Sequence, residues 1–451
     1  MFEAITSPMM LPVVVPLLAG LVCLLIPRAA ASLRPLLAVL AAAATLALAA
    51  PLAWPLLGAD PGAASTMAAG LPTGPVGALV GATFEPVPWL SLRLDGLSAF
   101  ILLGVAFFGL LIAVFSVGYF RGHERQREYY AYFLWTLGAS CGVALANDLL
   151  LLLVCWGFLG LLLYLMAGIA GPGAAGAARK SLMVLGGADA LLLLGIVLYW
   201  QLSGSTRIGG AGMSGVGLAL DNAAAWCALL TFLAAAFAKA GMAPFHSWVP
   251  EFGAHADAPV SAYLPASLDK LLGIYLLARC ALDLFEFTPF LYFLLMLLGS
   301  VTVIAAVLMA LVQHDLKRLL SFHAVSQVGY MVLGIGTGTA IGLAGGLFHM
   351  LNNTIYKSAL FLCAGVVEKQ VGTTDLDRLG GLARLMPVTF VVCTIAALAI
   401  SGVPPLNGFA SKWMIYEGVI KSGSEGIAAG GLSWIVWLAA AMLGSALTLA
   451  S

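Results

Sequence analysis

Four lysines sit inside long apolar runs of this chain: Lys239 after FLAAAFA, Lys270 in SLDKLLGIY, Lys357 in NNTIYKSALFL and Lys412 in GFASKWMIY. An ionisable group at such depth is costly and, as a rule, functional. An ammonium withdrawn from water loses the solvation that favours its charged form, which makes proton release accessible. A series of such groups, joined by water and histidine, is a proton wire. The bland alternative is a lysine near a helix end whose head snorkels to the interface. The apolar residues on both sides of Lys239 and Lys357 argue against it.

Histidine titrates in the range a proton wire needs. His246, His255, His323 and His349 lie in or beside apolar segments, and His246 directly follows the break next to Lys239. His349 and Lys357 are eight residues apart, a little over two helical turns, and so face roughly the same side, as does Asn353. His323 taken singly reads as a satisfied core group, and His123 and His314 as solvated loop residues. Asp269 directly precedes Lys270. Neighbours on a helix point about 100° apart, so Asp269 can face a lysine on another helix, Lys239 being the natural candidate. Such a pair would switch, because protonating one member weakens its hold on the other. Asp189 reads as an acid near a helix start that complements the dipole, and Asp148 as a helix cap.

The elements that carry these residues are membrane helices. The 451 residues are 62% hydrophobic and 9% charged, with a mean hydropathy of +1.05, against about 25% charged in soluble proteins. The formal charge of +0 provides no field for nucleic acid. Seven cysteines lie singly in apolar segments and read as small buried hydrophobes, with no iron–sulfur, haem or zinc pattern, so no cofactor is expected. The first apolar segment follows Met1–Pro8 without a basic leader and reads as a membrane helix rather than a signal peptide. Runs long enough to span fall at 9–26, 35–57, 97–119, 129–147, 149–169, 181–201, 223–250, 258–282, 288–312, 318–338, 341–366, 386–419 and 431–451. The last run stops at Ser451 while still apolar, which suggests a chain with at least one helix missing.

Basic residues set orientation. Twelve lie in the odd-numbered connections (Arg28, Arg34, Arg121, Arg125, Arg127, Arg179, Lys180, Lys317, Arg318, Lys369, Arg378, Arg384) and four in the even-numbered ones. This places the N-terminus outside a cell inner (plasma) membrane, with 58–96 as an external loop. Two spans are interrupted, at AFAKAGMAPFHSW and at AISGVPPLNGFASKW, each with glycine, proline and an intramembrane lysine. Five helices separate them. An odd shift inverts the second unit, the plan of transporters with broken helices. The expected divisions are 1–128, N-terminal helices and external loop; 129–283, first inverted repeat; and 284–451, second.

LDGLSAF at 94–100, AKAGMAPFHSWVPEFGAHADAPVSAYLP at 238–265, HDLKRLLSFHAVSQVGYM at 314–331, FHMLNNTIYKSALFLCAG at 348–365 and GGLARLMP with SGVPPLNGFASKW at 380–413 come in an order that resembles one family. It comprises the antiporter-like membrane subunits of respiratory complex I, multisubunit cation/proton antiporters and membrane-bound hydrogenases. The resemblance runs from about Leu94 to Ser451 and implies an all-α fold with a 14-helix core, about 13 helices of which are seen here. It further implies that Lys239 is the central lysine of the seventh helix and that Lys270 lies at or beside the eighth-helix lysine. His349 and Lys357 would be the connecting pair of the eleventh helix, and Lys412 the terminal lysine of the broken twelfth. One departure stands out. The family's fifth helix carries a glutamate after a tryptophan, paired with the seventh-helix lysine, whereas here Trp156 is followed by Gly157. Another acid must supply that charge, Asp269 being best placed, or the coupling is lost.

The expected function is proton translocation within a multisubunit membrane complex of NADH-quinone oxidoreductase or hydrogenase type, through Lys239, Lys270, Asp269, His246, His349, Lys357 and Lys412. No catalytic centre is expected in the chain itself. The expected partners are other membrane subunits, the bilayer and protons, with Na⁺ as the alternative ion. The rival readings are a cation/proton antiporter module or a proton-delivery subunit of an inorganic-carbon uptake complex, and a structural subunit that no longer pumps.

Overall fold

A computed structural model describes residues 8–57, 83–87, 90–208, 217–424 and 433–450. Apart from one small hairpin the described residues form helices and their connections. In chain order these are α1 (Leu11–Leu25), α2 (Leu33–Leu57), β1 (Thr83–Val87), β2 (Leu90–Arg93), α3 (Gly96–Tyr119), α4 (Gln126–Leu145), α5 (Leu149–Ala167) and α6 (Ala175–Ser203). There follow α7 (Ala223–Ala240), α8 (Trp248–His255), α9 (Ala258–Tyr263), α10 (Asp269–Arg279), α11 (Pro289–Leu311) and α12 (Leu316–Gly336). The last are α13 (Ala340–Val371), α14 (Pro387–Ser401), α15 (Asn407–Ser424) and α16 (Ser433–Ala450). Among the described residues, seven stretches are each long and apolar enough to cross a bilayer, and large apolar side chains such as Trp54, Val154, Met183 and Val388 point outward, as lipid-facing residues do.

The helices group into two compact units. The first takes Met1–Ile169, Gly186–Phe232 and Leu282–Phe285. In it α1 packs on α4, where Trp135 Nε1 donates to Leu17 O at 3.1 Å, and α2 packs on α3. The segment expected as an external loop closes in the antiparallel β1–β2 hairpin, with Phe84 opposite Leu92; residues 58–82 lie outside the described set. Asp95 then starts α3 through a capping box with Ser98. Asp148 caps α5 as its position suggested, accepting from Leu150 N at 2.8 Å and from Thr206 Oγ1 at 2.6 Å.

The second unit takes Ala170–Leu185, Leu233–Ala281 and Glu286–Ser451. Its centre is α12, nearly all of whose side chains are buried. A Cβ added at Gly299 would lie 2.8 Å from Gly329 O, and one at Gly329 would lie 2.6 Å from Gly299 O. Small residues at this crossing bring the backbones of α11 and α12 together, as membrane helices without a hydrophobic driving force require. Tyr330 ties α12 to α16, donating to Ala441 O at 2.7 Å.

Candidate functional site

Both interrupted spans break in the same way. Gly241 (φ 75°) and Gly402 (φ 83°) end α7 and α14 in the left-handed conformation open to glycine. A proline stands three residues after each, Pro244 and Pro405, each preceded by a cis peptide bond. The backbone closures also match: Gly241 N bonds Ala238 O and Met242 N bonds Phe237 O, while Gly402 N bonds Ala399 O and Val403 N bonds Leu398 O. Aligned on these glycines, the lysines do not coincide. Lys239 precedes its break by two residues, whereas Lys412 follows its break by ten.

A helix C-terminus leaves carbonyls without backbone partners and carries partial negative charge. At each break a buried lysine meets that end. Lys270 Nζ, on α10, donates to Ala240 O at 3.0 Å. Lys412 Nζ reaches back from α15 to Ile400 O at 2.8 Å and Ser401 O at 3.3 Å. The Lys412 ammonium also lies 4.8 Å from the centre of the Tyr330 ring, a cation–π contact. Gly402 admits the lysine stem, because a Cβ there would stand 3.0 Å from Lys412 Cδ.

Asp269 and Lys270 are placed by an irregular eighth span. A π-helical turn over Leu264–Leu268 separates α9 from α10, at the point where Pro265 cannot donate a backbone hydrogen bond. π-turns of this kind recur at functional sites. The start of α10 lies against the end of α7, since a Cβ on Gly273 would lie 2.6 Å from Ala240 N and 2.8 Å from Ala236 O. Lys239, Asp269 and Lys270 are all buried here.

From this turn a run of polar side chains continues through α13. Ser267 Oγ and Ser358 Oγ are 2.7 Å apart, next in sequence to Lys357, whose Nζ donates to Leu320 O at 2.9 Å. His349 and Lys357 do share a side, since both bond α12. His349 Nε2 lies 3.0 Å from Gln327 Oε1 and Nδ1 2.9 Å from Ser411 Oγ. Tyr356 OH adds to the cluster, 3.3 Å from Gln327 Oε1. The Gln327 oxygen only accepts, so His349 Nε2 donates and Nδ1 faces Ser411. If His349 gains a proton there, Nδ1 becomes the donor to Ser411 Oγ. The serine hydroxyl then serves Gly408 O, 3.2 Å away. Neither change requires a heavy atom to move. Asn352 and Asn407 pair across α13 and α15, with Asn352 Nδ2 on Asn407 O at 2.9 Å and Asn407 Nδ2 on Asn352 Oδ1 at 3.1 Å. This pair fixes the chain as it leaves the second break.

Of the residues singled out by sequence, Asp269 and Lys270 converge on the first break; His349 and Lys412 converge through Ser411 near the second. His246 sits half-buried in the short turn Phe245–Ser247, and its Nδ1 makes no hydrogen bond among the described residues. His255 is exposed and, among the described residues, bonds only its own turn, at Glu251 O. Asp189 departs from the helix-start reading. It lies in the middle of α6, far from the dipole end, and a Cβ on Gly160 would come 3.2 Å from its Oδ2. It therefore faces α5 one turn beyond Gly157. The space a Cβ would take at Gly157 itself is open.

Sequence reasoning missed Gln327, Tyr356, Ser411 and the true position of Lys317. Polar residues without charge give little signal in an apolar run, although Gln327 and Ser411 stand inside the motifs SFHAVSQVGYM and NGFASKW. Lys317, which reads as a loop charge in the sequence, is 3% exposed and is held by Glu368 Oε1 and Oε2 at 3.0 and 3.1 Å and by Ala256 O at 3.2 Å. It is a carboxylate-paired lysine. By contrast, Lys270, Lys357 and Lys412 donate to neutral carbonyls.

Polytopic helical chains whose interrupted spans end on buried charges form a recognised class of membrane protein. Comparison narrows it. A family profile described as NADH:quinone oxidoreductase/Mrp antiporter, TM, matches residues 146–435, and one for the complex I chain 5 N-terminus matches 88–131. The chain belongs to this family. It is 33% identical to F(420)H(2) dehydrogenase subunit L of Methanosarcina mazei over 74% of this chain and 54% of that one. It is 31% identical to an Na(+)/H(+) antiporter subunit of Alkalihalophilus pseudofirmus over 76% of this chain and 45% of that one. It thus spans about half the length of these curated relatives. A chain of the Mrp complex from Dietzia sp. superposes with a TM-score of 0.81 at 26% identity, covering 99% of this chain and 78% of that one.

Proposed function

We propose that the chain is a proton-translocating membrane subunit of a multisubunit complex, resident in a cell inner membrane with its N-terminus outside. One observation carries this reading: the buried ammonium groups of Lys270, Lys357 and Lys412 rest on neutral backbone carbonyls. An ammonium paired with a buried carboxylate loses its proton at the cost of leaving an anion in low dielectric, so its release is gated by that partner. An ammonium on a carbonyl carries no such cost. The path would run from Lys239 and Lys270 past Ser267 and Ser358 to Lys357, then through His349 and Ser411 to Lys412. Gln327 Nε2 and Asn353 Oδ1 are buried along this stretch without a hydrogen-bond partner among the described residues, and internal waters bond groups of this kind. Proton, rather than Na⁺, fits a row of ammonium and imidazole groups, because a hard cation is bound by oxygen ligands.

Asp269 is our candidate for the charge that Gly157 does not supply, because it begins α10 against the end of α7 that carries Lys239. The driving force would come from partner subunits, as the chain has no redox motif of its own. The antiporter reading draws its support from relatives named Na(+)/H(+) antiporter subunits, and it uses the same path with a cation gradient as the driving force. The test is proton transfer by the intact complex in proteoliposomes carrying Lys239→Ala. A loss of about 100-fold or more, the scale of a positioned proton-transfer group, is expected. Wild-type transfer would remove the path from the mechanism.

A further inference from the structure

A cavity of about 470 Å³ lies in the second unit, walled by side chains of α12, α13, α14 and α16. Its walls are apolar, with Leu319, Leu360, Leu382, Phe390 and Leu398 among them, while Lys357 and His323 line it as well. The outer surface of α14 carries exposed Val388, Phe390 and Val391, the kind of surface that borders lipid. Lys357 is fully buried, and the only hydrogen bond of its ammonium among the described residues goes to Leu320 O. An ammonium has three donors, so donors remain for a further acceptor.

A buried cation with donors to spare, in an otherwise apolar cavity, selects for one kind of molecule. The ligand must bring an acceptor, and preferably a negative charge, because pairing offsets the cost of a buried cation. It must also bring aliphatic surface for the walls. The volume falls in the range of small-molecule sites and suits one hydrocarbon chain rather than a two-chain phospholipid. We propose that this cavity binds a single-chain aliphatic carboxylate, a fatty-acid-type amphiphile taken from the lipid phase. Its head would pair with Lys357 Nζ and its chain would lie along α14. The inference rests on the proposed function only in that the occupant would sit on one of the proposed proton carriers, and its carboxylate, while bound, would hold the Lys357 ammonium protonated. Binding is therefore read by labelling rather than by transport, so failure of this site is distinct from failure of the proton path.

The experiment uses the intact complex in nanodiscs of zwitterionic lipid and a palmitic acid bearing a photoreactive diazirine on its chain. Labelling is expected on peptides within 382–401. Palmitate should compete, and hexadecanol, with the same chain and no charge, should not. Lys357→Gln should lower labelling at least tenfold. Cys393→Trp, which fills the cavity from its wall and leaves Lys357 in place, should abolish it. Equal competition by hexadecanol, or undiminished labelling in Cys393→Trp, would overturn the proposal. Stronger competition by phosphatidylglycerol than by palmitate would overturn it in favour of a phospholipid head group.

Discussion

The two broken spans share a backbone and differ in how their open ends are held. At the first, the carbonyl of Ala240 is held by Lys270 from another helix, beyond a π-turn. At the second, Ile400 and Ser401 are held by Lys412, from the downstream half of the same span. The first break is thus coupled to the position of α10, so a movement or charge change at Asp269–Lys270 reaches the end of α7 directly. The second is closed on itself, with α13 fixing its exit through Asn352 and Asn407. Equivalent backbone does not imply equivalent charge placement. A lysine can serve a helix end from anywhere its stem can reach.

The sharpest test of this difference replaces the two lysines. Lys412→Met is expected to reduce proton transfer at least ~100-fold and to destabilise the protein by less than the ~3–6 kcal/mol of the two charge-assisted bonds lost, because the desolvation cost of the buried cation is relieved. Lys270→Met should cost about half as much in stability, because one carbonyl is affected. Thermal unfolding in detergent and proton flux in liposomes measure the two effects. Lys412→Arg should keep the fold yet lose transfer, since guanidinium does not release its proton; wild-type flux in that variant would sink the role of the ammonium.

A smaller effect locates the counter-charge. Asp269→Asn should lower proton transfer by about tenfold, corresponding to ~1.4 kcal/mol of coupling, and Asp189→Asn by less. The reverse order would move the counter-charge to α6, beside Gly160 and one turn from Gly157. The glycines of the breaks rank next. Gly241→Ala should cost more than Gly402→Ala, each on top of about 1–2 kcal/mol for the left-handed backbone. The new Cβ would lie 2.5 Å from Val249 Cγ2 at the first and 3.0 Å from the flexible Lys412 stem at the second. Equal melting shifts would remove that asymmetry. Smallest is Gly157→Ala, whose Cβ enters open space. A helix gains up to ~1 kcal/mol from that change, so a melting temperature that falls would show a contact at this position.

Much of the fold was legible in the sequence because membrane helices announce themselves through composition. The expected runs 149–169, 223–250 and 288–312 became α5, α7 with α8, and α11. Ends were less legible. The runs expected at 129–147 and 341–366 became Gln126–Leu145 and Ala340–Val371, because the Gln, Arg, Glu and Lys residues flanking the apolar core are themselves good helix formers. The breaks were visible as glycine and proline near lysine. Their identical closure was not, because it depends on which carbonyl each amide meets. Lys317 was misplaced for a related reason: a lysine beside an arginine reads as a loop charge until Glu368, 51 residues later, is brought onto it.

By itself, then, the sequence determined that this is an all-helical membrane chain with lysines at depth, since apolar run length and the cost of buried charge are local properties. Only the tertiary structure decided what each charge meets. It set Lys270 on the end of α7 and Lys412 on the end of α14. It also set His349 between Gln327 and Ser411, and Asp189 against α5. Those partners lie on different helices or beyond a break, and a helix reveals through its own sequence which side a residue faces but not which neighbour lies there.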